Sequence, residues 1–416
     1  MRNSKFAVSV VLAAMLAVSS ACGTDENNAG DEPGSITTPT GSPADDAKSP
    51  VKIGFHNLEG GSISLPNVRL GFEAGIKYVN AELQGVNGHP LEASYCKTDG
   101  TPESSVNCAN RFVSEKAVLS MTGADFGADA MLPVLKSAGL VDVGSFPLTP
   151  GVNAESGDAY MMYFSAQEGY AGGVVQQAKN GAKKLAVAMV DNAASRASYD
   201  DIIEPAGEKL GIKTKAFYFP AATDWAVMSA TILSWGADAV SLYAASEAVP
   251  AVQALRGSGF TGYIDVGSNT DIIPQLDSSM LEKVTFNATI YPPSAVEFPD
   301  EIKPDMDAFN RYTAKLQEDH NPTQLQQGFY DAVMAADVLR QIGGSDAELT
   351  AKAVHDGMPT VKGDRQIFRM NGYDCSKPTW PGTTACATGS SYFTADEDGK
   401  LTPLPDQPVD ISEILP

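Results

Sequence analysis

From about Val51 onward, short apolar runs alternate with amphipathic stretches. Val51-Lys52-Ile53-Gly54-Phe55 reads as a buried strand. Val68, Phe72, Ile76, Val79 and Leu83 then recur at helical spacing, with Asn67 placed to cap that helix. Residues 91–95 form a second strand, and Thr101-Pro102-Glu103 opens a second helix, with Thr as cap and Pro in the first turn. The beat continues with strands at 117–123 and 140–144 around a helix at 128–138. Further strands are predicted at 185–191, 213–219, 237–243, 263–267 and 283–290, and helices at 225–235 and 247–256. Two longer helices follow, at 303–317 and 323–342. Strands alternating with helices at this spacing predict mainly parallel α/β sheets with helices on both faces. About ten strands fit two sheets better than one. Ligands of open α/β sheets sit beyond the carboxyl ends of the strands, so two such sheets facing each other make a cleft.

The two ends of the chain break this rhythm. Residues 371–391 are rich in Gly, Pro and Thr and read as a loop, and Ser391-Tyr392-Phe393-Thr394 reads as a strand entering a turn at Asp396-Glu397-Asp398-Gly399-Lys400. At the start, Arg2 and Lys5 precede an apolar run, residues 6–18, too short to span a bilayer, which takes about 20 residues. Ser19-Ser20-Ala21-Cys22 follows, which completes the layout of a secretory signal peptide over residues 1–21. The segment resembles the bacterial lipobox, which implies a lipid on Cys22; ordinary cleavage with a spare Cys22 is the alternative. Residues 23–49 hold almost no large apolar side chain and read as a tether that cannot offset its ordering entropy.

Composition narrows the function. The chain is 43% hydrophobic and 19% charged, as a globular protein is, and its formal charge of −22 argues against nucleic acid and against broad contact with anionic lipid. No later segment is apolar for long enough to span a membrane, so the expected contact with the membrane is through the lipid anchor only. With Cys22 set aside, four of the five cysteines remain, in two close pairs. Three pairings are possible; sequence proximity in an exported chain favours Cys96–Cys108 and Cys375–Cys386. A zinc site is the rival, but neither pair has CxxC spacing, and His56, His89, His320 and His355 are scattered.

Catalytic motifs are missing. Gly257-Ser258-Gly259-Phe260-Thr261-Gly262 matches GxGxxG, but a helix precedes it and a strand follows, the reverse of a dinucleotide site. It reads as a helix end and turn, and no cofactor is expected. GxSxG, P-loop and HExxH patterns are absent. Asp396-Glu397-Asp398-Gly399 lacks the length and terminal Glu of an EF-hand, and Asn287-Ala288-Thr289, a formal glycosylation acceptor, falls inside a predicted strand.

The opening strand, the Gly60-Gly61 turn, and Gly71 and Asn80 on the first helix resemble type I periplasmic solute-binding proteins. The branched-chain amino-acid binders are the nearest type. Thr98-Asp99 before Pro102, Thr122-Gly123 with Pro133, Asp191 and Gly399-Lys400 continue the resemblance across most of residues 51–404. It implies two Rossmann-like lobes joined by three hinge crossovers, residues 50–163 plus 291–358 and residues 164–290 plus 359–416, with ligand in the cleft between them. In the amino-acid binders a serine after the third strand helps hold the ligand carboxylate; Gly127 stands there, offering backbone N–H groups instead of a hydroxyl. A following contact falls near Leu148, beside Phe146. The covering aromatic of the second lobe falls at Ser195, next to Arg196, and a second aromatic near Ser246. The acid that pairs with the ligand ammonium falls at Asn269, with Asp271 two residues on. A buried ammonium strongly prefers a carboxylate, so Asp271, Glu247 or Glu59 would have to substitute. Phe126 at a strand end and Tyr330 at helical spacing complete the candidate ligand contacts; for each, and for Asp125 as a helix cap, a purely structural role is the competing reading.

These observations converge on a monomeric, lipid-anchored receptor at the outer face of the cytoplasmic membrane. It would bind a small amino acid or a related polar or carboxylate compound and hand it to an ABC transporter permease, with no bond made or broken. The alternative is a ligand-sensing module for a membrane signalling partner.

Overall fold

A computed structural model describes residues 41–415, apart from residue 62 and residues 146–147, 155, 221–222, 245–246 and 345–348. The proposed signal peptide and Cys22 lie outside the described residues. Six strands form the first sheet: β1 Val51–Gly60, β2 Ile63–Ser64, β3 Leu91–Thr98, β4 Ser120–Thr122, β5 Asp142–Gly144 and β6 Ala159–Met161. Their order is β3-β1-β4-β5-β6, all parallel, with β2 folded back on β1 as a hairpin. The second sheet holds β7 Lys184–Val190, β8 Lys213–Phe219, β9 Ala239–Tyr243, β10 Tyr263–Asp265 and β11 Val284–Ala288. The short ladder of β12 Lys362–Gly363 with β13 Tyr373–Asp374 stands apart. β14 Ser391–Ala395 and β15 Leu401–Pro403 then add to the second sheet, giving β15-β14-β11-β10-β9-β7-β8 with the last two strands of the chain antiparallel.

The strands read as near-continuous apolar runs because both faces are covered. On β1, Phe55 stacks on Phe72 of the helix Pro66–Glu82, with ring centroids 4.0 Å apart. Gly54 faces the other way, against the Phe112 ring of the helix Pro102–Ser114. Residues Lys213–Phe219, Trp225–Trp235 and Lys303–Gln317 form the elements expected of them. Thr101 caps its helix by accepting the Ser104 N–H, and residues 257–262 end a helix and lead into β10. The structure joins Cys96 to Cys108 and Cys375 to Cys386.

Some expectations fail. Asn67 does not cap the first helix; Leu65 occupies that position, because Pro66, with its φ already fixed, starts the helix two residues earlier. The Asn67 amide donates instead to Gln324 at 3.0 Å. The helix expected at 128–138 is a 3₁₀ turn, Ala128–Ala130, followed by a separate helix, Leu132–Ser137, since Pro133 has no N–H to continue the ladder. The helix Ala166–Lys179 and strands β6 and β15 were not expected from the pattern. Residues 42–45, assigned to the tether, are packed: Ser42 bridges to Leu83, and Ala44 N–H donates to Asn80 O at 2.7 Å. Part of the disulfide loop, expected with the second lobe, runs along the edge of the first sheet, where Cys386 N–H donates to Met161 O at 2.8 Å.

The helix Pro322–Gly343 sets the geometry around the site. It lies against the first helix so closely that a Cβ on Gly71 would overlap the Leu325 carbonyl, and one on Gly328 the Val68 carbonyl. It also touches each crossover. Gln326 donates to Tyr291 O at 2.8 Å, just past β11. The Tyr330 hydroxyl lies 3.1 Å from Met162 O, just past β6, and 2.9 Å from the Gln366 amide oxygen. Gln366 returns a bond to Met162 O at 3.0 Å. β6 and β11 both run into this hub from their carboxyl ends, so the carboxyl edges of both sheets flank the hinge.

Candidate functional site

The strand order reverses between β1 and β4 in the first sheet and between β7 and β9 in the second. Such switch points, outside the carboxyl ends, are where open α/β sheets leave room for a ligand. The loops there carry several large apolar side chains that are left in solvent: Phe126 after β4, Leu148 after β5, Ile63 in the β1–β2 hairpin and Val190 at the end of β7.

Phe126 is 48% exposed, yet it sits between Asp125 and Gly127, which are both buried. The reason lies beneath it. Asp125 accepts from the Ser105 hydroxyl at 2.6 Å and the Gly127 N–H at 2.9 Å, and it contacts His56 Nδ1 at 3.1 Å. His56 Nε2 lies 2.7 Å from the Thr122 hydroxyl and 3.4 Å from Asp142, to which Thr122 donates at 2.5 Å. Burial works against the His56 imidazolium, but the hydrogen bonds and charges of Asp125 and Asp142 outweigh it and push its pKa up to about 9. Burial also opposes charge on Asp125, and His56 overcomes it, holding that carboxyl below its ordinary value. A charged, hydrogen-bonded network thus anchors the loop and presents Phe126 outward. Asp129 ties the next loop to this one by accepting from the Thr149 hydroxyl and, at 2.9 Å, from the Val152 N–H, which places Leu148 beside the same edge.

The other candidate residues fall into place unevenly. Gly127 does lie at this edge, but its N–H is spent on Asp125. A Cβ there would come 2.5 Å from Thr101 O, so the glycine serves close packing and does not offer the free N–H expected of it. Phe146 and Ser246 lie outside the described residues. Ser195 and Arg196 follow β7, in the short helix Ala193–Ser198. The Ser195 N–H donates to the capping Asn192 side chain at 2.8 Å. Arg196 grips Asp191 at 2.6 and 3.1 Å and stacks 4.2 Å above the Tyr218 ring, so its charge is already engaged. Asn269 and Asp271 stand after β10, at the start of the 3₁₀ helix Thr270–Gln275. Tyr330 is not at a strand end at all; it is fully buried in the hinge hub, as its helical spacing allowed.

The acids that could meet an ammonium are also distinguishable. Glu59 is committed to Arg69 at 2.8 Å, with Lys97 at 3.5 Å, and Glu247 accepts the Trp225 indole N–H at 2.9 Å. Asp271 is exposed. Asp99, after β3, is held ionised, down to about 2, by hydrogen bonds from Thr101 and Ser104. Among the described residues no group of three or more His, Cys, Asp or Glu is placed to hold a metal ion, and no helix is long and apolar enough to cross a membrane. From sequence, Asp125 reads only as a helix cap, and His56 and Asp142 carry no signal that joins them to it. The histidine reads as one of four scattered ones until the fold brings Asp125 and Asp142 to it.

Comparison with known proteins agrees with this geometry. No curated protein sequence matches the chain. Among solved structures, the branched-chain amino acid transporter substrate-binding protein LivJ from Streptococcus pneumoniae, in complex with isoleucine, is 17% identical, with a TM-score of 0.62 over 86% of this chain and 99% of that one. The leucine-binding protein LivK from Thermotoga maritima is 19% identical, with a TM-score of 0.62 over 85% and 97%. A fatty acid ABC transporter substrate-binding protein from Thermomonospora curvata is 15% identical, with a TM-score of 0.65 over 90% and 95%. The family described as periplasmic binding protein matches residues 50–379. The chain belongs to the periplasmic binding protein family, in its type I, two-lobed α/β form.

Proposed function

We propose that this protein is an extracytoplasmic receptor, tethered through a lipid on Cys22, that captures a small solute between its two sheets and delivers it to the permease of an ABC importer. The single observation that carries this reading is the set of apolar side chains held in solvent at the carboxyl edges of both sheets, Phe126 above all. Leaving them exposed costs the hydrophobic stabilisation that a bound solute would restore. One lobe comprises residues 50–163 plus 291–358, and the other residues 164–290 with the strands from β14 onward. The receptor acts as a monomer and closes around the solute through contacts available only when both lobes touch it.

The solute is an amino acid or a related small carboxylate or amide with an apolar body. Phe126 and Leu148 cover that body. If the solute carries an ammonium, Asp271 is its partner, since Glu59 and Glu247 already have theirs.

A thermal-shift screen of the full-length protein in mild detergent, against amino acids, amides and small carboxylates, tests the reading. A selective ligand at a hundredfold excess over its Kd adds about 2.7 kcal/mol and raises the melting temperature visibly. The Phe126→Ala variant is expected to bind that ligand roughly 10- to 100-fold more weakly, the loss of one buried aromatic contact. A panel without any shift, or a Phe126→Ala variant that binds as the parent does, overturns the reading.

A further inference from the structure

Charge is unevenly spread over the two carboxyl edges. On the last residues of the parallel strands, the loops after them and the first helical turns, the basic side chains are Arg69, Lys97 and Arg196. All three are spent: Arg69 and Lys97 on Glu59 at 2.8 and 3.5 Å, and Arg196 on Asp191 at 2.6 Å. The His56 imidazolium, beneath Phe126, is enclosed by Asp125 and Asp142. Residues 62, 146–147, 221–222 and 245–246, outside the described ones, add no basic side chain. Asp99, Asp129, Asp224 and Glu247 stand on the same loops with neutral partners. These are the Thr101 hydroxyl at 2.6 Å, the Val152 N–H at 2.9 Å, the Ala226 N–H at 3.0 Å and the Trp225 indole N–H at 2.9 Å. Asp271, in the first turn after β10, is exposed.

Helix N-termini gathered at such an edge would ordinarily favour an anion. Here the chain's own side chains have taken their N–H groups. Thr101 accepts from Ser104, Ser165 from Glu168, Asn192 from Ser195, and Asp224 from Ala226 and Val227. The Gly127 N–H goes to Asp125.

We infer that the solute presents an ammonium with no carboxylate beside it, received by Asp271 on the second edge and the Phe126 ring on the first. Within the range of solutes given above this selects an amino-acid amide over the free amino acid and the simple carboxylates, and it rests on the receptor reading. A carboxylate drawn into the closing cleft would give up its hydration among acids, where bases and helix ends are already engaged, and like charges brought together are strongly unfavourable. An ammonium meets the opposite case. A cleft lined by one sign of charge focuses its field on a counter-ion, and the exposed face of Phe126 attracts a cation. The turn that carries Asp99 lies against that ring: a Cβ on the neighbouring Gly100 would sit 3.7 Å from Phe126 Cβ and Cδ2. Hydrogen bonds from Thr101 and Ser104 keep Asp99 ionised there.

The test separates the two charges of an amino acid. The full-length protein in mild detergent is titrated calorimetrically at about pH 6.5, where the α-amino groups are charged. The probes are leucinamide, leucine, 4-methylpentanamide and 4-methylpentanoate, and the same four heads on the phenylalanine body. On the body that the cleft accepts, the amino amide is expected to bind about tenfold more tightly than either the amino acid or the uncharged amide, with both ratios shrinking as salt rises. Asp271→Asn, a change at an exposed position, should weaken the amino amide about fivefold and leave the uncharged amide as in the parent. An amino acid or carboxylate that binds as tightly as the amino amide overturns the inference and leaves the receptor reading standing. An uncharged amide that matches the amino amide does the same, and so does an Asp271→Asn variant that binds the amino amide as the parent does. Silence from all four heads on both bodies defeats the receptor reading itself, and this inference with it.

Discussion

The two carboxyl edges present their loops by different physical means. On the first sheet, Asp125, His56, Asp142, Thr122 and Ser105 form a network from which water is excluded, and Phe126 stands on it. On the second sheet, the matching loop after β7 is held by Arg196, Asp191 and Tyr218, with both charged side chains about half exposed. Charges in a low-dielectric interior are coupled strongly and screened little, whereas a surface pair is worth a fraction as much. The first edge is therefore a preorganised platform, and the second can yield to fit what lands on it. A receptor that must both recognise and close needs one surface of each kind.

The comparison breaks most visibly at Asp125. Asp125→Ala would leave the His56 imidazolium with only Asp142 and strand the Ser105 hydroxyl and Gly127 N–H. A loss of about 3–5 kcal/mol is expected, the usual result of removing one partner of a buried ion pair. Urea unfolding measures it, and a midpoint near that of the parent would show that the platform is not held as described.

Titration separates the two halves next. His56 has a folded pKa of about 9, above the ordinary 6.5, so its stabilisation is complete below pH 6.5 and is lost as pH rises through 9. On the second sheet, burial pushes Asp265 up to about 7, against the Gly267 N–H, which donates to its carboxylate at 3.1 Å and favours the charged form. A carboxyl raised in the folded state binds its proton more tightly there than when unfolded. Stability therefore falls as pH rises from about 4 towards 7. Melting temperature is thus expected to decline with pH in two windows, the lower from Asp265 together with Glu168, which burial also pushes up to about 7, and the upper from the first sheet. Asp265→Asn, which keeps an oxygen for Gly267, should make the lower window shallower and leave the upper one. A single smooth decline unchanged in that variant would refute the assignment.

Why the first edge was only half legible in the sequence follows from the same chemistry. Strand rhythm and Pro and Gly punctuation are local signals, and elements such as Lys213–Phe219 and Trp225–Trp235 follow from them. The helix Ala166–Lys179 had a local signal too, the Ser165–Glu168 capping box, but Gly169, Gly172 and Gly173 dilute its apolar period. Phe126 was readable because it follows a strand. The network under it was not, since His56 meets Asp125 and Asp142 across 69 and 86 residues of chain. Tyr330 illustrates the converse: its helical spacing with Val333 was visible, but only the folded chain shows that its hydroxyl joins two crossovers. The pairing of Arg196 with Asp191, five residues back, is local, yet nothing in the composition of that loop says that the arginine turns inward upon it.

Arg196 supplies the smallest and most discriminating test. If the second edge is a soft surface, Arg196→Ala removes an exposed ion pair and a stacked guanidinium, and the expected cost is below about 1 kcal/mol, shrinking further in high salt. The Tyr218 ring would lose its cover but remain beside Tyr199 and the second-sheet core. Stability would hardly register the change, whereas solute binding would, if closure asks this loop to move: releasing Asp191 frees the loop to adopt other positions, and the ordering cost reappears as weaker binding. Unfolding and ligand titration on the same variant separate the two effects. A large loss of stability would mean that the second edge is as rigid as the first, and equal solute affinity would mean that the loop after β7 takes no part in closing.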